Sequence, residues 1–481
     1  MRSCFRHSEM ARTRTNIAYN FAYQLLVLAL PLVTAPYLSR VIGAEGVGVY
    51  SYSYSIASYF VYIAMLGLNN YGNRSIAACR ERREDVSRTF WSIYTMQALC
   101  SFVAISLYGV YSVTLAGNFE IALMQGLYVI SALFDINWFF FGIEQFRLTV
   151  LRNALVKCVA TVLIFVFVKS VEDIGLYVGI MCGSFLVSQL CLWPFLARYA
   201  DFYRPKLADI VIHIKPNLVL FVPVVAVSMY NILSKIILGY MAGTEEVGYF
   251  ENAVKIASVP VTLVSAVGAV MLPRTSALIA RGDFVSASRH TEKTLLIVMA
   301  FTSLAGFGIP AIAVPFSELF YGPGFETSGY CLAVLSAAIP LLGFGNVIRT
   351  QYILPKARDS VFLWSALCGA FVNLSINIAL VPHIGALGAA IASVGAEIAV
   401  LAYQLIRIRR EIPMKRYLMH AGAFVFIGAA MGVVVAFVPS AGSDLSRVLL
   451  LVAVGLAVYV PPAFALLRFY LKKQFQGSGS K

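Results

Sequence analysis

The chain has 481 residues, of which 60% are hydrophobic and 12% charged, with a mean hydropathy of +0.80. A water-soluble protein carries roughly 25% charged residues, so this composition excludes a soluble fold and makes lipid the solvent. The net charge of +14 would suggest a nucleic-acid partner in a soluble protein. Here the Lys and Arg residues lie in short loops between apolar runs, where they meet anionic lipid headgroups, and no nucleic-acid partner is expected.

A basic arm, residues 1–15, carries Arg2, Arg6, Arg12 and Arg14. The apolar run that follows, near Ile17 to Leu38, is too long for the core of a cleavable signal peptide and reads as a first span. A hydrocarbon layer of about 30 Å needs roughly 20 apolar residues per helix. Segments of that size fall at 16–40, 47–71, 89–112, 119–142, 148–169, 174–197, 216–241, 247–272, 294–320, 327–352, 360–381, 385–406, 417–438 and 446–470. The predicted architecture is therefore an all-α integral membrane protein of about 14 transmembrane helices. Basic residues concentrate in the even-numbered loops, such as Arg80, Arg82, Arg83 and Arg88 after span 2 and Arg407, Arg409 and Arg410 after span 12. That alternation predicts a multi-pass protein with both termini in the cytoplasm.

In span 2, Tyr50 and Tyr54 alternate with serines, an unusually polar run for a transmembrane helix. It either lines a cavity, where tyrosines offer sugars a ring and a hydroxyl, or packs helix against helix. Asp135 in span 4 and Glu397 in span 12 are intramembrane carboxylates, and each is a candidate for a coupling proton or sodium ion or for a packing hydrogen bond. Arg147 and Arg152 stand where spans 4 and 5 meet the cytoplasm, as phosphate contacts or as interfacial anchors. Asn231 and Lys235 lie in span 7, while Glu251 and Lys255 share one face of span 8 at i,i+4. Charges at that depth normally face a cavity or a partner, so Arg40, Lys235 and Lys255 are read as a basic rim and Glu251 as a further ion-coupling candidate. Arg349, about a turn from the end of span 10, either snorkels or enters the cleft. Pro31, Pro36, Pro223 and Pro260 are expected to bend the spans that carry them.

The chain also repeats itself. Gly43-Ala44-Glu45-Gly46-Val47-Gly48-Val49-Tyr50 returns as Gly243-Thr244-Glu245-Glu246-Val247-Gly248-Tyr249-Phe250, Arg74 matches Arg274, and Leu38-Ser39-Arg40 matches Leu233-Ser234-Lys235. Six spans separate the copies, so the repeat is parallel and predicts two pseudo-symmetric six-helix lobes around a central cavity, plus two extra C-terminal helices. The expected divisions are an arm at 1–15, an N-lobe at 16–198, a linker at 199–215, a C-lobe at 216–410, the extra helices at 411–471 and a cytoplasmic tail at 472–481. The eight cysteines show no CxxC or His-paired spacing, so no metal site and no cofactor are expected.

The stretch Phe134-Asp135-Ile136-Asn137-Trp138 through Glu144 and Arg147 resembles the span-4 signature of bacterial Wzx-type polysaccharide flippases. The stretches Asn373-Leu374-Ser375-Ile376-Asn377, Gly385 to Ala390 with Glu397, and Gln351 to Pro355 are similar to the same family, a branch of the multidrug/oligosaccharidyl-lipid/polysaccharide exporters. The resemblance implies a V-shaped cavity between two lobes and a substrate of undecaprenyl-diphosphate-linked oligosaccharide. It further implies movement by alternating access from the cytoplasmic to the outer leaflet of the bacterial inner membrane, in cell-surface polysaccharide synthesis. Many such proteins carry an acidic residue before the basic one in span 7, where this chain has Ser234-Lys235, which argues against ion coupling there. A proton or sodium counter-ion and a polysaccharide polymerase are the further partners in view. The rival readings are a lipid II flippase or a cation-coupled drug exporter of the same fold and, from another class, a membrane glycan polymerase or acyltransferase. Enzymes of that class need a sizeable external loop or an intramembrane His/acid pair, and His213 and His383 sit at loop edges.

Overall fold

The computed structural model describes residues 26–439 and 443–476, without the side chains of residues 223, 229–231 and 473–476. The basic arm, the first turns of span 1, the end of the tail and the Asn231 and Pro223 side chains lie outside the described residues. Among the described residues regular structure is helical, with no strand. Within them, eleven helices are long and apolar enough to cross a membrane. Three further crossings complete the fourteen. One is α1 (Leu26–Val41), the described part of span 1. Another is α2 (Gly43–Met65), long enough but made more polar by its tyrosines and serines. The last arises because α15 (Asp359–Ile408) is two helices joined at Ile384 and Gly385, whose φ/ψ are non-helical. Its halves run antiparallel, since Gly395 faces Ile376, Gly369 faces Val400, and Gln404 Nε2 donates to Ser365 Oγ at 3.0 Å.

The chain divides into two compact units, Met1–Val225 and Ala226–Lys481. In the first, α2 packs on α4 (Arg83–Thr114), α5 (Phe119–Ser131) and α8 (Ile174–Leu190), α5 packs on α4 and α8, and α7 (Phe146–Phe167) packs on α8. The short α3 (Leu68–Cys79) and α6 (Asn137–Gly142) cross where Gly72 meets the Trp138 ring, and α9 (Trp193–Leu196) closes span 6. α10 (Leu207–Met241) leads out of this unit. In the second unit, α11 (Thr244–Ala280) packs on α12 (Phe284–Tyr321), α13 (Glu326–Ser336) and α15, and α13 packs on α12 and α15. The two units thus share one pattern of neighbours. They also share local detail: Gly43 and Gly243 have φ of +70° and +98°, a region open to glycine at no steric cost, and the first opens α2 while the second directly precedes α11. Ser39 and Ser234, and Val47 and Val247, are buried alike.

The fourth span of each unit is broken. Span 4 is α5, a 3-10 turn (Ala132–Phe134) and α6; span 10 is α13, α14 (Ile339–Ile348) and a π-helical turn (Arg349–Ile353). Irregular backbone of this kind is tolerated at membrane depth only where protein or water satisfies it. Span 2 also ends earlier than the apolar pattern predicts, because Leu66 and Gly67 interrupt it. A Cβ on Gly67 would come within 2.6 Å of the Asn217 carbonyl oxygen, so only glycine permits α3 to begin this close to α10. The extra helices α16 (Met414–Ala436) and α17 (Asp444–Gln476) pack on α12 and on each other. At that junction the buried Glu292 meets Arg416 Nε at 2.6 Å and His420 Nδ1 at 3.2 Å, and the Tyr470 ring lies 4.2 Å from the His420 ring.

Candidate functional site

In the first unit the span-4 break gathers a polar network. Asp135 Oδ1 accepts from the Asn137 backbone N–H at 2.9 Å and from its amide at 2.7 Å, which ties Asp135 to the first residue of α6. The Asn137 amide also donates to Gln189 Oε1 at 2.9 Å. Arg152 forks across this group, donating to Asn137 Oδ1 and Asn153 Oδ1 at 2.7 Å each, to Gln189 Oε1 at 3.2 Å and to the Ser188 carbonyl. Asp135 and Arg152, 17 positions apart in sequence, are thereby joined through one asparagine. Behind the break, the fully buried Gln97 donates to the Ala132 and Asp135 carbonyls at 2.7 and 2.9 Å and accepts from Trp138 Nε1 at 3.0 Å. Those bonds replace the helical partners that the break removes. Arg147 is exposed in the first turn of α7, and Arg40 is exposed at the end of α1.

The tyrosines of α2 stack as a ladder. Tyr50 and Tyr54 lie 5.7 Å apart, Tyr54 stacks on Tyr128 of α5 at 4.8 Å with the hydroxyls 3.3 Å apart, and Phe185 of α8 lies 4.7 Å from Tyr128. The serines behave differently. Ser51, Ser55 and Ser58 are buried, and Ser55 and Ser58 donate back to the carbonyls of Ser51 and Tyr54, so they are packing residues.

In the second unit the charges of α10 and α11 converge. Lys235 Nζ pairs with Glu251 Oε2 at 2.6 Å, both side chains under 20% exposed. Sequence spacing alone would pair Glu251 with Lys255; its ion-pair partner is instead Lys235, across helices. Lys255 stays close enough to feel both charges and is half-buried. Two cations and one carboxylate thus share the site, and no carboxylate is within ion-pair contact of Lys255 among the described residues. One residue before Lys235, Ser234 Oγ donates to Asn373 Oδ1 at 3.0 Å and accepts from Asn377 Nδ2 at 3.1 Å, all three buried. The two asparagines of the span-11 motif therefore hold the helix that carries Lys235. Arg349, in the π-helical turn, lies over the Phe362 ring and acts electrostatically on Glu397. No cluster of metal-ligating side chains occurs among the described residues.

The family model described as "Polysaccharide biosynthesis protein" matches residues 13–279, more than half of the chain. The chain belongs to this family. This polysaccharide biosynthesis protein is 24% identical over 417 residues to a "Putative O-antigen transporter" of Escherichia coli (strain K12), an alignment covering 83% of this chain and 97% of that one. It is 19% identical to a protein of the same description from Shigella dysenteriae, with 78% and 94% covered. Among solved structures it is similar to "Lipid II flippase MurJ, inward closed conformation", with a TM-score of 0.69 and 14% identity over 92% of this chain and 99% of that one. That likeness concerns the fold.

Lys157, at the middle of α7 and half-buried, is an intramembrane cation of this polysaccharide biosynthesis protein that the loop-centred reading of basic residues passes over. The rule that intramembrane charge marks function is enough to find it in the sequence. Gln97 and Ser234 carry no such signal, since a lone glutamine or serine in an apolar run is commonplace.

Proposed function

We propose that this protein is a flippase that carries lipid-diphosphate-linked oligosaccharides, of the undecaprenyl type, from the inner to the outer leaflet of the bacterial cytoplasmic membrane by alternating access. The observation that carries the reading is the excess cation among Lys235, Glu251 and Lys255 within membrane-spanning helices. An unpaired charge at mid-bilayer costs about 2.5–3.5 kcal/mol on insertion scales, a cost that an incoming diphosphate offsets. The family and the transporter relatives support the same reading. Arg40, Arg147 and Lys157 in the first unit would add to the attraction. In this scheme the basic loops face the cytoplasm, both termini lie on that side, and a polysaccharide polymerase receives the product.

Ion coupling by a proton or sodium falls to Glu397 rather than to Asp135 or Glu251. Asp135 is hydrogen-bonded to Asn137 and Glu251 is paired, whereas Glu397 has a charge nearby and no ion-pair or hydrogen-bond partner among the described residues. The test is reconstitution in liposomes with a labelled lipid-diphosphate oligosaccharide, measuring its accessibility from outside. Leaflet transfer above that of empty vesicles is expected, reduced at least several-fold by Lys255→Gln. Transfer equal to empty vesicles refutes the flippase; full transfer by the variant removes Lys255 from the site.

A further inference from the structure

The two units differ in chemistry, and the difference bears on which part of a glycolipid each meets. Apart from Glu45 and Glu120 in their first turns, α2, α5 and α8 contain no Asp, Glu, Lys or Arg. One face of α2 instead carries Tyr50, Tyr54 and Tyr62, with the buried Ser58 between the last two at the same i,i+4 spacing. Tyr54, Tyr62, Tyr128 and Phe185 are half-buried, so part of each side chain stays accessible. Phenylalanines would pack equally well, yet here the ring edges carry hydroxyls. Tyr54 and Tyr128 bring theirs together at 3.3 Å, and the neighbouring Tyr59 hydroxyl is enclosed with no hydrogen-bond partner. An unpaired buried hydroxyl costs free energy until a ligand or water meets it.

Resting on the flippase reading above, we propose that this ladder is a sugar-binding subsite that takes uncharged pyranose rings. The aromatic faces stack against the C–H side of a sugar, and the phenol groups exchange hydrogen bonds with its hydroxyls. Selectivity follows from the lack of charge: a uronic acid brought here would lose water without gaining a counter-ion, which costs more than desolvating a hydroxyl. The anionic anchor is left to cations on other helices, Lys235 and Lys255 in the second unit and Arg40, Arg147 and Lys157 on α1 and α7 of the first.

The experiment compares three labelled probes in proteoliposomes: a polyprenyl diphosphate without sugar, the same lipid bearing a neutral oligosaccharide, and the same lipid bearing a uronic-acid-containing oligosaccharide. For Tyr54→Leu and Tyr62→Leu, transfer of the neutral glycolipid should fall by about two- to tenfold, the size of one aromatic contact. Transfer of the sugar-free lipid should stay at the wild-type rate, which also certifies folding. Tyr54→Phe, which keeps the ring, should lie between. The wild type should move the uronic-acid probe more slowly than the neutral one. Equal slowing of sugar-free and sugar-bearing lipids, no slowing at all, or equal rates for the two glycolipids overturns the subsite. A wild type that moves none of the probes overturns the flippase reading itself.

Discussion

Glu251 lies between two lysines, so the cost of removing a charge depends on which one is removed. Lys235 is bonded to it at 2.6 Å, and Lys255 sits one helical turn away on its own helix. Glu251→Gln leaves two ammonium groups facing each other in a site under one-fifth exposed. Breaking a buried pair by removing one partner costs about 3–5 kcal/mol. Lys235→Gln leaves Glu251 with Lys255 at about 5–6 Å between their Cβ atoms, where an effective dielectric near 20 gives about 3 kcal/mol of attraction. The second variant should therefore be destabilised by about 1 kcal/mol and the first by about 3. Denaturant titration in detergent, followed by intrinsic fluorescence, reads both values and the double variant. The double variant should be more stable than Glu251→Gln alone, because one of the two opposed cations is gone. If Lys235→Gln costs as much as Glu251→Gln, Lys255 does not share the carboxylate and the charge count is wrong.

Gln97→Leu should destabilise the first unit by about 2–4 kcal/mol, since it removes three buried hydrogen bonds, leaves the Asp135 carbonyl and the Trp138 indole N–H unmet, and leaves the Ala132 carbonyl with the Asp135 N–H alone. A fall in the thermal midpoint measured by tryptophan fluorescence reads it, and an unchanged midpoint removes the assignment. Gly72→Ala would set a Cβ 2.5 Å from the Trp138 ring, which is fully buried, and should abolish monodisperse expression on size-exclusion chromatography; a well-behaved variant would show that α3 and α6 can part. Outside the membrane, the Arg83 guanidinium bonded to Asp201 holds that carboxyl below its usual range. With the folded value below the unfolded one of about 3.9, the clamp contributes fully above the unfolded value and is lost as pH falls through the folded one. Trp91, whose Nε1 donates to the Asp201 carbonyl, should report an acid transition below about pH 4 that Asp201→Asn removes.

Apolar run length located the fourteen helices, and the gap between the spans 360–381 and 385–406 fell at the corner that the structure places at Ile384 and Gly385, because length is a local property. The breaks were hidden. Span 4 reads as one apolar run from 119 to 142, and its interruption depends on Gln97, 35 to 38 positions away in sequence, supplying the bonds that an intact helix would make for itself. The basic ends of α4 extend the helix back to Arg83, where hydropathy begins only near residue 89, since a helix can leave the bilayer without ending. For the site, residue type was legible and pairing was not. Glu251 and Lys255 looked like partners by spacing, whereas Lys235 reached Glu251 from another helix. The Ser234–Asn373–Asn377 group spans some 140 positions and could not be read from either end.

The corner of α15 has a mechanical meaning. Glu246, in the first turn of α11, accepts the Ala386 N–H at 2.6 Å, and its carboxylate fills the space beside Gly385, whose φ is +51°. The start of span 8 and the start of span 12 are therefore riveted at one point. Lys255 and Glu397 ride on the two helices that leave this rivet, so a tilt imposed on one is handed to the other as a shared lever.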